Sequence, residues 1–330
     1  MPECSEVKLI TEGIARLAAG RVLRSVTVVN SGFLKKTKAL HMIPLPQLVT
    51  SVQCKGKFGY MCLADGSAVG FMFGMSGNIR IEPDAEYLAM RKETHEQYMK
   101  HCKVRFVMES TDTDTDTGTG TGTGTGTTRQ NIFYFYCIRN FEWVCYYTPD
   151  ELAKKLSEIG PSIMGDLISP QQLALRWRKA GNKAICQTVM DQKYISGIGN
   201  YIKAETLYRS RVHPLAMVAS LSDEHLWTIY MSARDVAEMA YGAGGGTLYT
   251  FTGIDGRRID FRSLLAVYDK SIDPLGYLVH QMDTPDKRNT HWVPEVQTIG
   301  APLQDPPPPP SPPITRIKVK VRARVKAPET

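Results

Sequence analysis

The sequence predicts a two-domain α+β fold, in which one helix and an antiparallel β-sandwich precede a mainly helical domain. Apolar residues recur every three or four positions between Glu3 and Ala19, which is the period of a buried helix face. Short apolar and β-branched runs, broken by Gly, Pro and Asp-Gly, occupy residues 21–83 and 132–148. Helical patterns begin near Asp150, and we place the domain boundary there.

Composition and charge favour a globular protein of ordinary type. The 330 residues are 42% hydrophobic and 22% charged, enough for two domains and a sizeable core. No apolar stretch approaches the ~20 residues of a membrane span, and the first residues lack the basic-then-apolar order of a secretory signal. We therefore expect an intracellular protein with no membrane partner. The formal charge of +7 suggests a nucleic-acid partner without establishing one.

The seven cysteines occur singly, with no Cys-x-x-Cys pair, and none follows Cys186. An odd, unpatterned set is typical of a reducing compartment. The histidines after Cys186 have no regular ligand spacing, so we expect no tetrahedral zinc site in that part of the chain. The sequence predicts no metal and no cofactor.

Two segments have low complexity. Thr111–Thr128 repeats Thr-Asp and then Thr-Gly with nothing apolar to bury, which predicts a disordered surface loop. Beyond Gln297, a proline run precedes Arg316–Lys326, where basic and mostly apolar residues alternate. We predict that residues 298–330 form a disordered, basic tail.

The second domain carries clear helix starts. Ser169 before a proline and Ser222 before an amphipathic run are typical N-caps. An Asp273–Gly276 turn then precedes a predicted hairpin between Tyr277–Met282 and Thr290–Val293.

The segment Met190–Pro214, MDQKYISGIGNYIKAETLYRSRVHP, predicts a helix ending near Gln192, a glycine turn, and a second helix from Asn200. Its two glycines are expected to reach positive φ. As an N-cap, Asn200 would leave outward-facing amides at the positive end of a helix dipole, and a DNA phosphate would suit them. An ordinary helix hairpin with a glycine turn is the alternative for this short motif.

The whole segment resembles the helix–two-turn–helix motif of the formamidopyrimidine-DNA glycosylase/endonuclease VIII family. That family begins Pro-Glu, as Pro2-Glu3 does here, although proline after an initiator methionine is common in itself. The resemblance implies that Pro2, freed by removal of Met1, attacks sugar C1′ as an amine. It implies that Glu3 is the general acid/base. Lys57, in Lys-Gly-Lys-Phe, matches the family's catalytic lysine.

Two further motifs match residues that fill the gap left by an extruded nucleotide. Gly-Met-Ser-Gly is kept around Met75, although Met72 stands where a histidine is expected before it. The family's Asp-x-Arg-x-Phe-Gly appears as residues 137–142, CIRNFE, so its aspartate and glycine are lost. The resemblance implies that Met75, Arg139 and Phe141 fill the gap.

DNA-backbone contacts are also implied. Lys193 and Asn200 match phosphate-contacting positions of the family. Lys287–Pro294 resembles the tip of a zinc finger whose cysteines are missing, with Arg288 contacting the phosphates beside the lesion. This pattern is that of the zinc-less endonuclease VIII-like branch. Strand pairing and packing of Tyr277, Val279 and Trp292 would then hold the hairpin.

The resemblance implies a bifunctional DNA glycosylase/AP lyase of base excision repair. It would excise oxidised pyrimidines and formamidopyrimidines through a Pro2 Schiff base with β,δ-elimination. The expected partner is damaged double-stranded DNA, with single-stranded DNA left open, and the protein is expected to be a monomer. An 8-oxoguanine-preferring enzyme and a non-catalytic damaged-DNA-binding relative are the alternatives. The domains would be 1–150, catalytic; 151–250, helix–two-turn–helix; 251–297, zinc-less finger; and 298–330, tail.

Overall fold

The computed structural model describes residues 2–92, 94–110, 130–244 and 261–298. The predicted Thr-Asp/Thr-Gly loop, residues 251–260 of the predicted finger domain, and the predicted tail from residue 299 onward lie outside the described residues.

Helix α1, Cys4–Ala18, begins where its apolar period begins. Glu3 is its N-cap, and Glu3 and Glu6 form a reciprocal capping box, which satisfies amides at the helix start. Val7, Ile10 and Ile14 are fully buried against the β-sandwich. Gly20, with a φ of 75°, turns the chain into the first strand.

The N-terminal strands form a β-sandwich, as predicted. One layer has the order β2-β9-β5-β4-β3 and the other β1-β7-β8-β6, and the two are joined where β1 pairs with β3. All pairings are antiparallel except the short β2–β9 contact. The strands are β1 Val22–Val28, β2 Thr37–Lys38, β3 Gln47–Lys55, β4 Phe58–Leu63, β5 Ala68–Met72, β6 Asn78–Ile81, β7 Cys102–Glu109, β8 Gln130–Tyr136 and β9 Trp143–Tyr147.

Aromatic side chains fill the space between the layers. Phe71 lies 5.8 Å from Phe106 and 6.2 Å from Phe135, measured between ring centroids. All three rings are fully buried. Short helices α2, Ala85–Arg91, and α3, His95–Met99, connect β6 to β7.

After the last strand of the sandwich, the chain becomes helical at α4, Pro149–Glu158, close to the predicted boundary at Asp150. Leu152 of α4 nevertheless packs with Phe58 of the sandwich, so this helix belongs by contact to the first domain. The rest of the helical domain comprises α5 Pro170–Arg178, α6 Ile185–Met190, α7 Asn200–Arg209 and α8 Asp223–Gly242.

The predicted caps of α5 and α8 are confirmed. Ser169 accepts a hydrogen bond from the amide of Gln172, and Ser222 accepts one from the amide of His225. The helices enclose a second core around Trp177, which is fully buried. Among the described residues, no helix combines the length and the apolar character needed to cross a membrane.

The predicted hairpin is present, but its strands are β10 His280–Thr284 and β11 Arg288–Trp292. The predicted bounds therefore differ by three and two residues for the first strand and by two and one for the second. Arg288 begins the second strand and pairs with Thr284, while Lys287, at a φ of 59°, completes the turn. The prediction of a helix and β-sandwich followed by a helical domain with a hairpin is confirmed.

Candidate active site

The carboxylate of Glu3 lies at the start of α7. Its oxygens accept hydrogen bonds from the amides of Gly199 at 2.6 Å, Tyr201 at 3.0 Å and Ile202 at 3.4 Å. These amides form the positive end of the helix dipole, which favours an anion. The predicted anion site exists, but Glu3 occupies it rather than a phosphate.

The predicted N-cap of this turn was wrong. The N-cap of α7 is Gly199, whereas Asn200 is the first helical residue and its side chain caps nothing. The preceding helix ends at Met190, two residues before the predicted end near Gln192. The sequence could not show that Glu3, 196 residues away, would supply the capping carboxylate.

The two turn glycines serve different purposes. Gly197 has a φ of 110°, as predicted, and its carbonyl accepts the Cys4 amide at 3.2 Å. Gly199 has a φ of −122°, which any residue adopts, so the expectation of positive φ was wrong there. A Cβ atom on Gly199 would lie 2.2 Å from Glu3 Cδ. Glycine at 199 is therefore required by the close approach of the carboxylate.

Glu6 and Tyr201 also fix the backbone around Glu3. Neither residue was assigned a role from the sequence. The Glu6 carboxylate accepts the Glu3 amide at 2.7 Å and the Tyr201 hydroxyl at 3.2 Å. Both residues are buried. The available signal was the acidic residue three positions after Glu3, which is the spacing of a capping box.

Burial raises the pKa of the Glu3 carboxyl to about 7. The positive charge of Lys57 opposes this rise, and the negative charge of Glu6 adds to it. Burial lowers the pKa of Lys57, Glu3 opposes that shift, and the charge of Arg288 reinforces it. The charges of Glu3 and Arg288 thus both act on Lys57, and buried Pro2 is adjacent to Glu3 in sequence. A carboxyl group with a pKa near 7 can both donate and accept a proton at neutral pH.

A buried ion pair joins the hairpin to α7. Lys203 Nζ lies 2.6 Å from Asp286 Oδ2, and the two side chains are 0% and 7% exposed. Asn200 Nδ2 donates to the Asn289 carbonyl at 3.0 Å. Because 286 and 289 flank Arg288, α7 determines where this exposed arginine lies. Neither contact was foreseen from the sequence.

Packing also holds the hairpin, as predicted. Tyr277 is buried in a cluster with Tyr208 and Val293, and Val279 packs against that cluster. The Trp292 ring meets His213 edge-on, with centroids 4.6 Å apart. Within residues 2–92, 94–110, 130–244 and 261–298, no group of three His, Cys, Asp or Glu side chains is arranged to hold a metal ion.

The three predicted gap-filling residues lie on two neighbouring loops of the sandwich. Met75 Sδ is 3.8 Å from Arg139 Nη1, and Phe141 on the second loop is 61% exposed. The loops thus present one flexible, one charged and one aromatic side chain together.

Lys193 is exposed, and its described contacts are local. Its ammonium pairs with Asp191 at 3.3 Å and lies 4.8 Å from the centre of the Tyr194 ring. The side chain of Asn200 faces the hairpin, as described above. Their predicted phosphate contacts stay predictions.

Comparisons with known proteins agree with this architecture. Two protein-family models match the sequence. The formamidopyrimidine-DNA glycosylase N-terminal domain family matches residues 1–118, and the formamidopyrimidine-DNA glycosylase H2TH domain family matches residues 159–252. The formamidopyrimidine-DNA glycosylase of Vibrio cholerae serotype O1 is 28% identical over 309 residues, which cover 90% of this chain and 100% of that protein.

Solved structures show the same fold. The MutM (Fpg) protein of Thermus thermophilus aligns with a TM-score of 0.71 at 20% identity, covering 91% of this chain and 100% of the other. Lactococcus lactis Fpg in complex with abasic-site DNA aligns with a TM-score of 0.69 at 16% identity, covering 90% and 99%.

Proposed function

Because this chain belongs to the formamidopyrimidine-DNA glycosylase family of base excision repair, we propose that it excises oxidised bases and then cuts the DNA strand at the abasic site. The proposed substrates are oxidised pyrimidines and formamidopyrimidines in damaged double-stranded DNA. The structural neighbours include proteins of this fold bound to abasic-site DNA, which supports the choice of partner.

The proposed nucleophile is the amine of Pro2 after removal of Met1. A terminal α-amino group has a pKa near ~8, so a useful fraction is unprotonated at neutral pH, unlike an ordinary lysine near ~10.4. The amine attacks C1′ of the sugar, the damaged base leaves, and an imine links Pro2 to the sugar. The imine acidifies the C2′ proton, and β- and then δ-elimination cut the strand.

The observation that carries this proposal is the Glu3 carboxyl, held beside Pro2 by three amides of one turn with a pKa of about 7. We assign it the general acid/base role, protonating the sugar ring oxygen as the base departs. The backbone amides position the group, and the charges of Lys57 and Glu6 act on its pKa in opposite directions.

The surrounding residues would bind and orient the DNA. Lys57 adds positive charge beside the reacting centre, as its influence on the Glu3 pKa indicates. Arg288 suits a bidentate phosphate contact because its guanidinium is planar and fork-shaped. The remaining roles are assigned by motif: Met75, Arg139 and Phe141 fill the gap, and Lys193 and Asn200 contact phosphates.

The choice of substrate rests on the proposed zinc-less endonuclease VIII-like branch. The hairpin is held by the Lys203–Asp286 ion pair and by Tyr277 and Trp292, which supports a finger that needs no metal. The competing 8-oxoguanine preference is tested by comparing excision rates from duplexes that carry one lesion each.

Borohydride trapping on abasic-site duplex tests the nucleophile. The native protein should form a covalent adduct, since borohydride reduces the imine. Pro2→Gly and an uncleaved N-terminal tag should both reduce trapping strongly. Lys8→Ala, on the part-exposed side of α1, is the matched control and should trap as the native protein does. Full trapping by the tagged protein, with Lys57 modified instead, would refute Pro2 as the nucleophile.

A further inference from the structure

We propose that Glu142 is a positioning residue that joins the two gap-filling loops into one rigid unit. The loops are residues 73–77, which carry Met75, and residues 137–142, which carry Arg139 and Phe141. The inference rests on the proposed function, because it concerns how these side chains enter the space of an extruded nucleotide.

A single carboxylate oxygen connects the loops. Glu142 Oε1 accepts hydrogen bonds from the Met75 amide at 3.2 Å, the Ser76 amide at 2.8 Å and the Ser76 hydroxyl at 2.9 Å. The Ser76 hydroxyl oxygen in turn accepts hydrogen bonds from the amides of Ile138 at 3.0 Å and Arg139 at 3.1 Å. The backbone of each gap-filling loop is therefore bonded to the other through Glu142 and Ser76.

Glu142 is 0% exposed, and its second oxygen, Oε2, is buried without a hydrogen-bond partner in the described part of the chain. A buried polar atom is costly unless it is bonded, so this oxygen is an unfavourable feature of the fold. The three bonds at Oε1 offset that cost. A carboxyl group kept in such a place serves the arrangement of the loops better than it serves stability.

The neighbouring backbone leaves space for this carboxylate. Gly74 has a φ of 48°, and a Cβ atom there would lie 3.2 Å from both Cγ and Oε1 of Glu142. Such a contact is tight, so the Glu142 side chain would have to shift by a few tenths of an ångström. The glycine of the Gly-Met-Ser-Gly motif and Glu142 are thus mutually adapted.

Glu142 is also a departure from the family pattern that the sequence resembles. Asp-x-Arg-x-Phe-Gly carries its carboxyl group at the first position, whereas this chain has Cys137 there and Glu142 at the last. The loop therefore keeps one carboxyl group but presents it from the other end.

A rigid connection helps the step in which a base leaves the stack. Extruding a nucleotide costs a few kcal/mol, and ordering flexible loops at the same time would add to that cost. Loops already joined through Glu142 need no further ordering. An abasic sugar has no base to unstack, and single-stranded DNA has no opposite strand, so both depend less on the joined loops.

Single-turnover rates on three DNAs test the inference: a lesion-bearing duplex, the same lesion in single-stranded DNA, and an abasic-site duplex. Glu142→Ala should lose about tenfold or more on the lesion duplex, because it removes three hydrogen bonds to a charged group. The other two rates should change much less. Glu142→Gln keeps an acceptor at Oε1 and should retain most of the activity. Glu109→Ala removes a carboxylate from the same sandwich away from both loops and should match wild type.

Ser76→Ala gives a second variant should Glu142→Ala fold poorly. It removes the bridge to 138 and 139 while sparing the bonds to the amides of residues 75 and 76, and should show the same substrate pattern. Wild-type rates for Glu142→Ala and Ser76→Ala, or an equal loss on all three DNAs, would overturn the inference.

Affinity for a lesion-bearing duplex whose lesion nucleotide carries a 2′-fluoro group, which blocks loss of the base, tests the same inference without chemistry. It therefore separates a failure of the inference from a failure of the proposed enzyme activity. Weakened binding by Glu142→Ala, with Glu142→Gln unchanged, would support the inference even if wild type excises nothing. Equal affinities for all three proteins would contradict it.

Discussion

The two sides of the candidate site are held in opposite ways by the same helix. At the start of α7, backbone amides hold the buried Glu3 carboxylate. One turn further on, the Lys203 side chain holds the hairpin that presents the exposed Arg288. The proposed proton-transfer group thus depends on the backbone, and the proposed phosphate contact depends on a buried ion pair. Substitutions on the two sides should therefore fail in different ways.

The largest effect is expected at Glu3. Glu3→Gln should slow base excision by roughly 10²–10⁴-fold, the usual contribution of a general acid/base, while abasic-site binding changes little. Single-turnover excision and equilibrium binding on the same DNA measure the two quantities. Equal losses in rate and affinity would mean that Glu3 only supports the fold. The two sides of the site would then not differ in the way proposed.

The hairpin side should lose stability and binding together. Asp286→Asn leaves the Lys203 ammonium buried without its partner, which typically costs about 3–5 kcal/mol. Thermal melts and titration of abasic-site DNA measure both effects. Asp283→Asn, on the exposed part of the same hairpin, is the matched control and should leave both near wild type.

Arg288 tests whether that binding loss acts through the hairpin. Arg288→Ala should weaken lesion binding by about ten- to a hundredfold, since hydrogen bonds to charged groups contribute ~1.5–3 kcal/mol. In this background, Asp286→Asn should weaken binding little further. Additive losses would indicate that the ion pair does not act by positioning Arg288, and wild-type affinity of Arg288→Ala would refute its phosphate contact.

Gly199→Ala should disturb the Glu3 side alone. The added Cβ would overlap the carboxylate, so we expect a loss of about 1–3 kcal/mol in unfolding free energy together with reduced excision. Gly242→Ala is the control, because a Cβ at that end of α8 meets nothing within 4 Å. Unchanged excision by Gly199→Ala would show that the close approach of Glu3 to this turn is unimportant.

The smallest expected effect is on pH dependence. With a Glu3 pKa of about 7, raising the pH above 7 removes the proton that the carboxyl group must donate. Deprotonation of the Pro2 amine, whose pKa is ~8, raises the rate over the same range. The pH profile of base excision should therefore be bell-shaped, with a maximum at about pH 7.5, and the rate should fall severalfold by about pH 9. Glu3→Gln cannot titrate, so its residual rate should lack this alkaline decline. A decline that persists in the variant would assign the titration to another group.

Local features were predictable from the sequence because their physics is local. The caps at Ser169 and Ser222 need only a hydroxyl and an amide three residues later, and the apolar period of α1 needs only one buried face. Long-range contacts were less accessible. The hairpin strands were misplaced because the polar residues His280 and Arg288 give no apolar alternation at the strand ends.

The sequence by itself determined the order of the motifs, and with it the family, the two-part architecture and the proposed catalytic residues. Tertiary structure decided which groups occupy which positions. Glu3 took the anion site assigned to a phosphate, Glu142 joined two loops, and Lys203 paired with Asp286. Each of these contacts joins residues that are far apart in the sequence. They pair because a buried polar group needs a hydrogen-bonding or charged partner, and this need produces no periodic pattern in the sequence.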